Sequence, residues 1–221
     1  MTWEPSSRFV PSSHTHRFVV ERLSRSAQET GVQLCSIVLL GAGGVGKTAI
    51  VCQLITYTQL YDPTIEDTYI KVTTVDSVPC TVEVVDTAGQ SEYMPITEQW
   101  IKLGQAFILV YDITSRASFE QLRIFRGYML KHRRSLPSCM LVGNKCERAL
   151  QREVPTEEGQ EMAQSFGCPF VEVSAKTAWG VPTLFENFVR ILRLKPVDER
   201  SSTSRRLSRS FRSRKSGCVL M

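Results

Sequence analysis

Residues Ile37-Val38-Leu39-Leu40-Gly41-Ala42-Gly43-Gly44-Val45-Gly46-Lys47-Thr48-Ala49-Ile50 join a short apolar run, a glycine-rich turn and the start of a helical pattern. A phosphate-binding loop needs this strand–loop–helix context. Glycines let successive backbone N–H groups turn inward around phosphate oxygens, and the helix opening at Lys47 adds the positive end of its dipole. The Lys47 ammonium reaches the outer phosphates, and the Thr48 hydroxyl suits Mg²⁺. Every fixed position of the motif is filled, which makes an accidental glycine turn a poor account of it.

Outward from this loop, apolar strands alternate with helical stretches. The spacing predicts strands over 33–40, 68–76, 80–86, 106–111, 139–144 and 170–174, and helices over 47–56, 93–103, 116–134, 155–166 and 182–194. Ser77-Val78-Pro79 reads as a hairpin turn between the second and third strands. In the last helix Leu184, Phe185, Phe188, Val189 and Leu192 recur at helical spacing, and Pro182 sits where helix starts favour it. The alternation implies an α/β fold, with a mostly parallel six-stranded sheet and helices on both faces. Ligands in such folds bind beyond the carboxyl ends of the strands.

The 221 residues suit one domain, taken as 33–195, between a flexible N-terminal extension (1–32) and a basic tail (196–221). The tail carries seven basic residues against two acidic ones, a net +5 that equals the charge of the whole chain. The domain is therefore near neutral, and nucleic acid is not expected as a partner. Seven scattered cysteines, an odd count with no two-residue gap, argue against a disulfide framework and for a reducing cytosol. No apolar run reaches the ~18 residues of a membrane span, and no signal-peptide stretch opens the chain.

Three further motifs follow predicted strands. Val82-Glu83-Val84-Val85 runs into Asp86-Thr87-Ala88-Gly89-Gln90. An acid there can hold a metal through water, Gly89 permits close backbone approach to a γ-phosphate, and Gln90 can orient a water. Strand 139–144 runs into Asn144-Lys145-Cys146-Glu147, and strand 170–174 into Ser174-Ala175-Lys176. After the first helix comes a polar loop, Tyr61-Asp62-Pro63-Thr64-Ile65-Glu66-Asp67-Thr68-Tyr69. Singly the last two strand-end motifs are weak; all of these elements in this order are specific.

Across about 33–195 these residues resemble the Ras superfamily of small GTPases, and within it the Ras subfamily, whose effector loop Tyr61–Tyr69 matches almost residue for residue. The resemblance implies a P-loop nucleotide-binding G domain that binds GTP or GDP with Mg²⁺ and hydrolyses GTP slowly. It assigns the phosphates to Gly43, Gly44, Val45, Gly46, Lys47, Thr48 and Ala49, with Tyr61, Thr64 and Gly89 closing over them. It assigns the guanine pocket to Asn144, Lys145, Glu147, Ser174, Ala175 and Lys176. Thr48 and Thr64 would bind the metal directly and Asp86 through water. Gln90, Lys47 and Thr64 would carry catalysis, and an activating protein's arginine would enter beside Gly43. The implied partners are effectors with Ras-binding-type domains, an exchange factor and a GTPase-activating protein.

The chain departs from the family in three places. Glu147 replaces an Asp that takes two hydrogen bonds from guanine; its extra methylene either strains that contact or is absorbed by a loop shift, and the residues leave both open. The segment between Leu54 and Tyr61 is two residues shorter than in the family, with Tyr57 the nearest aromatic to pack on the base. Met94-Pro95-Ile96-Thr97 replaces the usual arginine pattern, so the following helix must begin late or kink at Pro95.

The ending Cys218-Val219-Leu220-Met221 reads as a prenylation box for a farnesyltransferase. One lipid anchors only marginally, and the cluster Arg205 to Lys215 supplies a second attraction, to acidic membrane lipids. Ser208, Ser210 and Ser213 lie inside that cluster, where phosphates would weaken it. The expectation is a lipid-anchored GTP/GDP switch at the cytoplasmic face of the plasma membrane, with internal membranes as the alternative location. The alternative is a nucleotide-weak or constitutively GTP-loaded effector-binding module, which Glu147 favours and which intact Lys47, Thr64, Asp86 and Gln90 oppose.

Overall fold

The structure, a computed structural model, describes residues 32–56, 68–87, 89, 94–133 and 136–194. The expected extension, most of the effector loop, Ala88, Gln90 and the tail with Cys218 lie outside the described residues.

Six strands, β1 (Gln33–Leu40), β2 (Thr68–Val75), β3 (Val78–Asp86), β4 (Ala106–Asp112), β5 (Ser138–Asn144) and β6 (Phe170–Glu172), form one sheet in the order β2-β3-β1-β4-β5-β6. Only β2 runs antiparallel to its neighbour. Among the described residues five helices accompany it: α1 (Lys47–Thr56), α2 (Met94–Leu103), α3 (Arg116–His132), α4 (Thr156–Phe166) and α5 (Val181–Leu194). The chain leaves β1 for β2 and β3 on one side and reaches β4 and β5 on the other. The carboxyl end of β1 is thus a topological switch point, where such sheets open a crevice.

Side chains alternate across the strands and build two apolar layers. Ile37, Leu39, Val82, Val84, Ile108 and Val110 face α1 and α5, meeting Ile50, Val51, Leu184, Phe185 and Phe188. Val38, Leu40, Val85, Phe107 and Leu109 face α2, α3 and α4, meeting Ile101, Phe119, Leu122, Phe125 and Met162. A sheet apolar on both faces explains why β1 and β4 read as continuous hydrophobic runs.

Element ends differ from the expectations for local reasons. Asp76 and Ser77 form the hairpin turn, with Val75 paired to Val78, so Val78 and Pro79 already belong to β3. Pro79 is tolerated because the β1–β3 ladder begins one residue later, at Cys80. α2 begins at Met94 with Pro95 in its first turn, where a missing N–H costs no helical bond. α3 stops at His132 because Arg133 turns extended, and a 3-10 segment (Cys146–Gln151) that the spacing did not announce follows β5. β6 ends at Glu172, and Ser174 instead pairs across a tight turn with Trp179.

Both turn residues of the β2–β3 hairpin carry positive φ, 51° at Asp76 and 62° at Ser77, as a two-residue primed turn demands. Left-handed backbone costs a residue with a Cβ about 1–2 kcal/mol. Ser77→Gly removes that strain and is partly offset by glycine's greater freedom in the unfolded chain. The expected outcome is a gain of about 0.5–1 kcal/mol in urea unfolding with an unchanged denaturant slope.

Candidate functional site

The loop from Gly41 to Gly46 leaves the switch point and enters α1. Gly44 and Gly46 take φ of 76° and 95°, which residues with a Cβ rarely adopt. A Cβ on Gly46 would also overlap the Asn144 side-chain amide, and one on Gly41 the Val110 carbonyl. The loop therefore has no spare volume behind it.

Lys47 is 6% exposed and folds back over the loop, donating from Nζ to the carbonyls of Gly41 at 3.0 Å and Ala42 at 2.9 Å. Burial pulls its pKa below the ordinary lysine value, against the opposing influence of Asp86. Thr48, exposed at the start of α1, donates its hydroxyl to Asp86 Oδ2 at the end of β3. Thr87 turns inward to the Leu39 carbonyl at 2.6 Å. Gly89 passes so close to Ala42 and the Lys47 ammonium that a Cβ there would collide with both. One mouth thus gathers a lysine, the first N–H groups of α1 and two oxygen donors suited to a hard divalent cation.

Asn144, 1% exposed at the end of β5, joins the two halves of the site. Its Nδ2 donates to the Val45 carbonyl at 2.8 Å, and its Oδ1 accepts the Ala175 N–H at 3.0 Å. Lys145 adopts left-handed φ and extends along the loop, its Nζ 2.8 Å from the Gly44 carbonyl and 2.6 Å from Asp112 Oδ2. Burial acts to raise the Asp112 pKa, but hydrogen bonds from Lys145 and Thr114 outweigh it and hold the carboxyl below its usual value. Ser174 is buried and its Oγ accepts from the Thr177 N–H, whereas Lys176 is exposed. Glu147 stands exposed on the 3-10 segment, with no hydrogen-bond partner for its carboxylate among the described residues.

The structure brings together Gly43 to Ala49, Asp86 and Gly89 as one group, and Asn144, Lys145, Ser174 and Ala175 as another, both at the carboxyl end of the sheet. Tyr61, Thr64 and Gln90 fall outside the described residues; Thr68 and Tyr69 open the edge strand β2. Asp112, which orients Lys145, was not singled out from the sequence. Its signal was the one that marked Asp86, an acid ending an apolar strand.

The Ras family model matches residues 36–194. "Ras-like protein 1" of Pyricularia oryzae is 43% identical over 183 residues, covering 73% of this chain and 76% of that protein. "Protein ras-2" of Neurospora crassa is 42% identical over 203 residues, 82% of this chain and 88% of its own length. "Ras-like protein B" of Aspergillus fumigatus is 42% identical over 186 residues, 72% and 78% respectively. With a family match over most of the chain and a nucleotide-loop geometry to go with it, the chain belongs to the Ras family of small GTPases, which are GTP hydrolases.

Proposed function

We propose that this GTPase works as a lipid-anchored GTP/GDP switch in signal transduction. The observation that carries the reading is the convergence of Lys47, Thr48, Asp86 and the Asn144–Ala175 pair on the mouth of one glycine loop. Lys47 exchanges the Gly41 and Ala42 carbonyls for phosphate oxygens, while backbone N–H groups of Gly43 to Ala49 cradle the rest. Thr48 and Thr64 would hold Mg²⁺ directly and Asp86 through water, and the ion would supply charge neutralisation at the phosphates. Gly89, already pressed on Ala42 and Lys47, senses the γ-phosphate. Gln90 next to it orients the attacking water. Asn144 and Lys145 frame the guanine, with the Ala175 N–H and the residues beside it, Ser174 and Lys176, completing the pocket.

Effectors are read through Tyr61–Tyr69. β2 is the outermost strand of the sheet, and Ile70 and Val72 are 39% and 66% exposed, a fit for strand addition by a Ras-binding-type domain. Exchange and activating proteins act at the same mouth. Prenylated Cys218 and the tail cations hold the cytoplasmic face of the plasma membrane, each cation contributing about 1 kcal/mol near acidic lipid.

A second reading, a module that holds nucleotide weakly and stays GTP-loaded in cells, has in its favour the exposed Glu147, whose carboxylate has no hydrogen-bond partner among the described residues. Loss of a pair of charge-assisted hydrogen bonds to the base costs about 1.5–3 kcal/mol for each bond.

Four experiments separate these points. Gln90→Leu is expected to slow single-turnover GTP hydrolysis at least about tenfold while leaving nucleotide bound. GTP-loaded protein should also bind a Ras-binding domain more tightly than the GDP form, and equal binding defeats the switch. Glu147→Asp is expected to slow release of a fluorescent GDP analogue about tenfold or more; an unchanged off-rate shows that the loop already compensates. Cys218→Ser should move the protein from membrane to cytosol in cell fractionation, and retention at the membrane rules out the lipid anchor.

A further inference from the structure

Asp112 ends β4, in register with Asn144 at the end of β5. It is buried, and both oxygens of its carboxylate are engaged. Oδ1 accepts from the Thr114 backbone N–H at 2.9 Å and from the Thr114 hydroxyl at 2.7 Å, which fixes the plane of the group. Oδ2 is left to face the Lys145 ammonium at 2.6 Å. Behind the carboxylate, the Asp112 backbone N–H donates to Ser118 Oγ in the first turn of α3, at 3.1 Å. Burial opposes the charge, but the hydrogen bonds from Lys145 and Thr114 outweigh it and keep the group ionised. The end of β4 thus presents a rigid anion.

Lys145 reaches that anion from a left-handed backbone, φ 67° and ψ 34°, a conformation that strains a residue with a Cβ. Its Nζ also donates to the Gly44 carbonyl at 2.8 Å, so one ammonium joins β4 to the phosphate loop. Glu147, two residues on, stands exposed on the 3-10 segment, which leaves Lys145 as the charged side chain of its motif that meets the loop. A lysine stem is rich in rotamers, and a lysine ordered before the ligand arrives loses less freedom when it binds. We infer that Asp112 is a positioning residue for nucleotide retention, holding the Lys145 ammonium in place across the phosphate loop. The inference rests on the reading in which Asn144 and Lys145 frame the guanine, and adds to that pocket a carboxylate that acts through the lysine.

The test follows release of a fluorescent GDP analogue from the full chain, in Mg²⁺ and excess unlabelled GDP. The proteins are wild type, Asp112→Asn, Asp112→Glu, Lys145→Met and the Asp112→Asn/Lys145→Met pair. Asp112→Asn keeps the shape and an oxygen for Thr114 but removes the charge, and is expected to release about tenfold faster than wild type. Lys145→Met should be at least as fast. In the Lys145→Met background Asp112→Asn should add less than about twofold, because its effect passes through the lysine. A merely structural role, bracing the end of β4 through Thr114 and Ser118, adds the same factor in both backgrounds. Asp112→Glu keeps the charge and changes the shape, so it should release more slowly than Asp112→Asn. Equal factors in the two backgrounds, the reverse order of Glu and Asn, or an Asp112→Asn rate within about twofold of wild type each overturn the inference. If Lys145→Met is fast while Asp112→Asn is not, the guanine-pocket reading stands and the inference alone falls. Release from Lys145→Met at the wild-type rate overturns the pocket reading, and the inference with it.

Discussion

One buried amide holds the nucleotide side of this molecule together. Asn144 ends β5, supports the phosphate loop through the Val45 carbonyl, and receives the Ala175 N–H from the turn after β6. No ionic group could do both, because one partner needs a donor and the other an acceptor. The contact also sets the glycine at 46, since the amide nitrogen fills the space a Cβ would take. Two segments that share no hydrogen-bond ladder with the phosphate loop are thereby fixed against it. Removing the side chain would leave a buried carbonyl and a buried N–H unpaired, each costing about 1–3 kcal/mol.

A second theme is the use of cations against backbone carbonyls. Lys47 answers Gly41 and Ala42, Lys145 answers Gly44, and Lys71 answers Leu54. Arg133 answers Ile101 and Lys102 in the last turn of α2 and Gly104 just after it, and lies over the Phe107 ring. Arg193 reaches Val75 and Val78 on either side of the hairpin turn, where Arg190 pairs with Asp76. Loops and helix ends leave carbonyls that no ladder can use, and a long cationic side chain from a neighbouring element satisfies them while tying the elements together.

The fold was legible because its strands are apolar on both faces and its motifs end them. Gly41–Thr48 and Asp86 could be read directly, since backbone geometry and ligand chemistry restrict those positions to a few residue types; Asn144 and Ala175 stand in motifs that are weak singly and took their roles from the family resemblance. What escaped was set by partners distant in sequence. Asp112 gains its role only when Lys145 arrives from the next strand, and Lys71 only when α1 packs on β2. The hairpin turn was placed one to two residues late because Pro79 looked like the turn, whereas the positive φ at Asp76 and Ser77 is invisible in residue types that are not glycine. The 3-10 segment was hidden by its lack of a buried face, with Leu150 wholly exposed.

The central place of β1 bears on how the chain folds. The first of the described strands is the one that needs partners from both sides, and they come late: Gln33 pairs with Cys80, and Ile37 with Ala106. The β2–β3 hairpin can form from neighbouring residues, but the parallel pairs must wait for long loops to close, which slows folding. The Asn144–Val45 bond spans 99 positions. During synthesis the phosphate loop therefore emerges well before the residues that support it. An unsupported apolar β1 in the interval is a surface that chaperones would recognise.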